Sequence, residues 1–150
     1  METTENKYIE KVKEFHKVFN HPIGKTLSTP SVDLTSLRYN LLQEELAEFA
    51  TALLHKDGEG VLDALVDLQY VLSGTIVAFG LHEVFDASFD EVHASNMSKL
   101  GEDGKPIYRE DGKILKGPNY FKPDLGKVIK TVLDARSNQN EIDFGRGSNG

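Results

Sequence analysis

One stretch constrains this chain more than any other. Residues 59 to 79 carry Val61, Leu62, Leu65, Val66, Leu68, Val71, Leu72, Ile76 and Val77, an apolar pattern that covers most of a helix circumference. Such a helix belongs at the centre of a bundle. Yet it holds Asp63 and Asp67, four residues apart and so on one stripe, with Tyr70 and Gly74 following on the same line. Burying bare carboxylates costs several kcal/mol each, so these two must be solvated or met by positive charge.

The rest of the chain reads as helices around that segment. Tyr8, Val12, Phe15 and Phe19 recur at helical spacing over residues 3 to 19. Asn20 to Gly24 breaks the pattern, and a Ser/Thr/Pro loop runs to about residue 32. Asp33 is a candidate N-cap for a helix from 34 to about 56, closed by Asp57-Gly58. A fourth helix is expected from about 82 to 98, burying Val84, Phe85, Phe89, Val92 and Met97. From 99 to 126 the chain turns rich in glycine and proline. Within it, Ile107-Tyr108-Arg109 and Lys113-Ile114-Leu115 flank Asp111-Gly112 and predict a small β-hairpin or flap. Residues 127 to 133 suggest a last helical turn, and the Ser/Asn/Gly-rich remainder a disordered tail. The reading is one all-α domain over 1–133, a four- to five-helix bundle with a C-terminal β-hairpin, followed by a tail over 134–150.

The composition narrows the function. The 150 residues contain no cysteine, which removes disulfides, thiolate metal sites and a cysteine nucleophile and fits a reducing cytoplasm. The N-terminal residues lack the apolar core of a signal peptide, and no uninterrupted apolar run approaches the roughly 18 residues a membrane span needs. A cytoplasmic protein without a membrane partner is therefore expected. The net charge of −7 argues against non-specific nucleic-acid binding. The charge is also segregated. Residues 31 to 95 hold twelve acidic side chains against Arg38 and Lys56, a local net of −10, while residues 96 to 130 have a net of +3.

The acidic region has internal order. Glu44, Glu45 and Glu48 lie at spacings that share a helix face, where like charges destabilise by a few tenths of a kcal/mol per pair unless neutralised. With Asp63 and Asp67 they form an oxygen-only donor set from two helices, the chemistry of a hard cation, Mg²⁺ or Mn²⁺. The triplet alone reads first as a solvated acidic face, and the two aspartates on so apolar a helix reverse that reading. A di-iron bundle would need Glu-x-x-His, which the chain lacks, and a zinc site clustered histidines. His16, His21, His55, His82 and His93 are instead scattered.

Glu44-Glu45-Leu-Ala-Glu48 followed by Asp63-Ala-Leu-Val-Asp67 resembles the signature of the MazG-like and phosphoribosyl-ATP pyrophosphohydrolase-like family. The block Val92 to Leu100 and the Gly/Lys-rich segment after Asp103 resemble a bacterial and phage branch of it. The resemblance implies an oligomeric helical fold, a homodimer or homotetramer. It also implies Mg²⁺-dependent cleavage of a nucleoside triphosphate to monophosphate and pyrophosphate. Glu45, Glu48 and Asp67 match the family's metal positions. The family's second acidic pair is Glu-x-x-Asp, whereas Ala64 stands three before Asp67, so Asp63 is the candidate for the missing ligand.

On this reading Glu44, Glu45 and Glu48 are the catalytic carboxylates, with Glu44 or Glu45 as the base that takes a proton from water. Candidate donors to phosphate are Arg38, Lys99, Lys105, Arg109, Lys113 and Lys116, with Asn96 a candidate for sugar or base. Two other classes compete: a helical module that binds Mg²⁺-nucleotide without cleaving it, and a structural bundle with a solvated acidic face.

Overall fold

The computed structural model describes residues 6–146, with side chains through Asn140. It contains five helices: α1 (Lys7–Val18), α2 (Val32–Leu54), α3 (Gly58–Ala78), α4 (His82–Met97) and α5 (Leu125–Arg146). The chain divides into two compact units, the first ending at Glu83 and the second beginning at Val84.

In the first unit α3 packs against both α1 and α2. Helix α1 starts at Asn6, whose side chain accepts from the Tyr8 and Ile9 amides at 3.1 and 3.3 Å. Its buried positions are Ile9, Val12 and His16, while Tyr8 and Phe19 are exposed. Of the Tyr8-Val12-Phe15-Phe19 stripe expected from spacing, Val12 is buried and Phe15 half-buried, so the buried face is rotated toward Ile9 and His16. Ser31, not Asp33, caps α2, because its side chain accepts from the Leu34 amide at 3.2 Å. The three residues His55 to Asp57 return the chain into α3, with the Asp57 carboxylate accepting from Gly60 at 3.0 Å. So short a connection makes α2 and α3 an antiparallel pair.

Helix α3 is central, as its composition requires, but its burial is uneven. Ala64 and the C-terminal stretch of Ser73, Gly74, Ile76, Val77 and Ala78 are buried. Leu62 and Val66 near its start are 63% and 55% exposed. Among the described residues α3 is the one helix long and apolar enough to cross a membrane by length and composition, a test the uninterrupted-run criterion had not met. Its contacts with α1 and α2 are those of a bundle core. Gly80, at φ +70°, ends this segment, and the Lys25 carbonyl lies where its Cβ would be.

In the second unit, Ser95 Oγ donates to the Phe121 carbonyl at 2.8 Å and Ser98 Oγ accepts from the Phe121 amide at 3.1 Å, which fastens the glycine-rich segment to the end of α4. Val84 and Ser95 are the buried residues of α4, whereas Phe89, Val92 and Met97, expected inside, are exposed. The expected hairpin reduces to one isolated antiparallel bridge, Tyr108 to Ile114, around Gly112 at φ +82°. No strand forms among the described residues. Two three-residue arms without a third strand bury too little to extend the ladder. Helix α5, expected to stop near 133, continues to Arg146. The Asp124 side chain accepts from the Lys127 amide at 3.0 Å, and after Gly126 no proline or glycine intervenes before Gly145.

Candidate metal centre

The carboxylates come together through the α2–α3 hairpin. Glu45 and Glu48 are nearly one turn apart on α2, and antiparallel pairing brings Asp67 of α3 opposite them. One carboxylate oxygen from each of the three lies within 4.8 Å of the others. Glu45 is half-buried and Glu48 exposed.

Glu45 carries the electrostatic signature of the site. Its Oε2 atom is shut off from solvent and has no hydrogen-bond partner. Its carboxyl is pushed above the ordinary carboxylate range, first by desolvation and then by repulsion from Glu48, Asp67, Glu44 and Asp63. The other four acidic residues singled out in the sequence therefore all act on Glu45. A secluded oxygen without a donor, facing acids only, is a poor arrangement for a protein alone and a fitting one for a hard divalent cation. The donor set thus fits Mg²⁺ or Mn²⁺. Asp63 and Glu44 stand outside the close trio, though their charges reach Glu45. Ala64, where the family signature has a glutamate, is buried and offers no ligand.

Arg38 is engaged elsewhere than the sequence suggested. Its side chain is buried, 7% exposed, and its Nη2 donates to the Val71 carbonyl at 2.7 Å while Nε donates to Thr75 Oγ1 at 3.2 Å. Burial draws its pKa below the usual arginine value. Gly74 makes room for it, since a Cβ there would collide with Nη2 and come within 3.0 Å of His16 Nε2. His16 is buried too, its Nδ1 donating to the Pro22 carbonyl at 2.7 Å. The histidine and Thr75 were not singled out by the sequence reading. Gly74, on the Asp67 stripe of an apolar helix, was the available signal.

The remaining candidates lie in the second unit. Lys99 Nζ donates to Asn96 Oδ1 at 2.8 Å. Arg109 is paired with Asp111, which also accepts from the Lys113 amide at 3.1 Å. Mutual hydrogen bonding raises the pKa of Arg109 and lowers that of Asp111. Lys116 Nζ sits 4.5 Å above the Tyr120 ring, and the Lys105 amide donates to Asp103 at 3.0 Å. Arg109 and Lys116 thus already have local partners.

Residues 12–96 match the family described as phosphoribosyl-ATP pyrophosphohydrolase, more than half of the chain and all five carboxylates. Lys99, Lys105, Arg109 and Lys116 fall beyond the matched segment. The chain is 26% identical over 137 residues to the uncharacterized protein L479 of Acanthamoeba polyphaga mimivirus, covering 89% of this chain and 51% of that protein. It therefore spans about half the length of that curated relative. A crystal structure of a candidate NTP pyrophosphohydrolase from Exiguobacterium sp. 255-15 aligns with a TM-score of 0.45 at 23% identity, over 91% of this chain and 99% of that one.

Proposed function

This chain belongs to the phosphoribosyl-ATP pyrophosphohydrolase family, and we propose that it hydrolyses a nucleoside triphosphate, NTP or dNTP, to monophosphate and pyrophosphate with Mg²⁺. The observation that carries the proposal is the Glu45–Glu48–Asp67 trio with its secluded, unpartnered Glu45 oxygen. Those three residues would hold the cation, with Asp63 as the further candidate. When bound, Mg²⁺ supplies neutralisation of phosphate charge and acidifies a water.

The chain's own residues supply the rest. Glu44 shares the helix face of Glu48 but stands outside the trio, so its carboxylate is available as the base. Water oxygen bonds to the α-phosphorus, its proton passes to Glu44, and the bond to the α,β-bridging oxygen breaks to release pyrophosphate. Product analysis with a panel of NTPs and dNTPs, beside Glu48→Gln, tests this. Monophosphate and pyrophosphate from the wild type alone support it; no product from any nucleotide overturns it.

A second reading has one observation in its favour. Ala64 removes the fourth family carboxylate, as expected of a module that binds Mg²⁺-nucleotide without cleaving it. Nucleotide binding without pyrophosphate release would select it.

In this reading the chain acts as a homodimer or homotetramer. Leu46, Leu53 and Leu54 of α2 and Leu62 and Val66 of α3 are exposed, and a second copy would cover them. Light scattering that finds a monomer would contradict that part.

A further inference from the structure

The antiparallel hairpin of α2 and α3 has one ladder, and Arg38 stands on it together with the carboxylates. Glu45 faces Asp67; seven residues earlier on α2, Arg38 faces Val71 and Thr75, four and eight residues later on α3. The clamp is thus two turns, about 10.5 Å, from Glu45 along α2 and one to two turns, about 6 to 12 Å, from Asp67 along α3.

Apolar packing from α2 is partial: Leu34, Leu41, Leu42 and Phe49 are half-buried, while Leu37, Leu46, Leu53 and Leu54 are exposed. Arg38 is the one residue of α2 in the buried class. Leucine contacts of this kind tolerate sliding, whereas a guanidinium bonded to two fixed acceptors on successive turns does not. The acceptors are themselves linked, because Thr75 Oγ1 donates to the Val71 carbonyl at 2.8 Å. Gly74, without a side chain, leaves the space the guanidinium occupies. A slip of one helical turn displaces α2 by about 5.4 Å, more than the span of the oxygen trio. Such a slip would dissolve the trio.

We propose that Arg38 is a positioning residue that sets the register of α2 against α3 and thereby assembles the Glu45–Glu48–Asp67 cation site. It acts through geometry, since the charges that govern Glu45 are the four surrounding acids. The inference rests on the metal reading of the proposed function. It adds a residue outside the acidic signature to the machinery and takes Arg38 off the list of phosphate donors.

The test is Mn²⁺ binding by titration calorimetry to the full chain without nucleotide, in wild type, Arg38→Lys and Thr75→Val. A lysine ammonium cannot span both acceptors, and valine keeps the threonine shape without its oxygen. Both variants should retain helical circular dichroism while Arg38→Lys binds Mn²⁺ about tenfold more weakly and Thr75→Val is intermediate. A merely structural role would lower Tm and leave the Kd of the folded protein unchanged. Wild-type affinity in the folded variants overturns the inference alone; should Arg38→Lys not fold, Thr75→Val decides. Absence of Mn²⁺ binding by the wild type overturns the metal reading, and this inference with it.

Discussion

Arg38 donates through Nη2 to the carbonyl oxygen of Val71 at 2.7 Å, so this buried cation is held by a helix carbonyl and not by any of the acids around Glu45. The separation has a chemical consequence. Were the guanidinium paired with Glu45 or Asp67, it would neutralise the charge that makes the trio a cation site. Directed at Val71 and Thr75, it joins the two helices and leaves the carboxylates unneutralised.

Glu48→Gln should reduce pyrophosphate release by more than about 100-fold, because an amide is a poor replacement for a charged ligand. Its helical circular dichroism should match the wild type, since Glu48 is exposed. A folded variant with full turnover would remove Glu48 from the site.

Mg²⁺ should raise the Tm of the wild type and not that of an Asp67→Asn variant. A ligand bound only by the folded state, at 100 times its Kd, stabilises by about 2.7 kcal/mol. Scanning calorimetry over a magnesium series measures this, and an unchanged Tm for the wild type would return the acids to a solvated face.

The stability of the fold should fall as pH drops below about 6.5. Burial, with the nearby charges of Arg38 and His21, holds His16 below its ordinary pKa of 6.5, even though the bond to the Pro22 carbonyl pulls the other way. The unfolded chain therefore takes up this proton first, and unfolding gains up to about 1.4 kcal/mol per pH unit until the folded His16 also titrates. Urea midpoints between pH 7.5 and 5 should show this slope, and His16→Gln should flatten it while His21 stays in place. An unchanged slope would mean that His16 is not its source.

Gly80→Ala should destabilise by at least about 2 kcal/mol, since φ is +70° and the new Cβ meets the Lys25 carbonyl. Gly58→Ala, at the start of α3 with nothing within 4 Å, should be neutral or stabilise by up to about 1 kcal/mol. Urea denaturation of the pair reads the difference directly. Equal midpoints would contradict the close approach of the two chain segments.

Four of the five helices and the acidic positions are legible in the sequence alone. Apolar periodicity located α1 to α4 within a few residues, because a helix that packs must repeat its apolar side chains every three to four positions. Spacing places five acids on two helices, and the family resemblance singles out Glu45, Glu48 and Asp67, the three whose oxygens converge. The Ile107–Leu115 segment misled: a turn and two β-prone triplets signal a hairpin, but a ladder needs partners that a local pattern cannot reveal. Helix α5 runs on past residue 133 because Ser and Asn are only mildly unfavourable within a helix. Tertiary structure alone decided the partner of Arg38. On sequence it was a cation two turns from Glu45; its acceptors are 33 and 37 residues away, on a helix whose rotation and register exist only once packed. The same holds for His16, whose burial follows from the roll of α1 on α3, a roll that similar apolar residues on neighbouring faces leave undetermined.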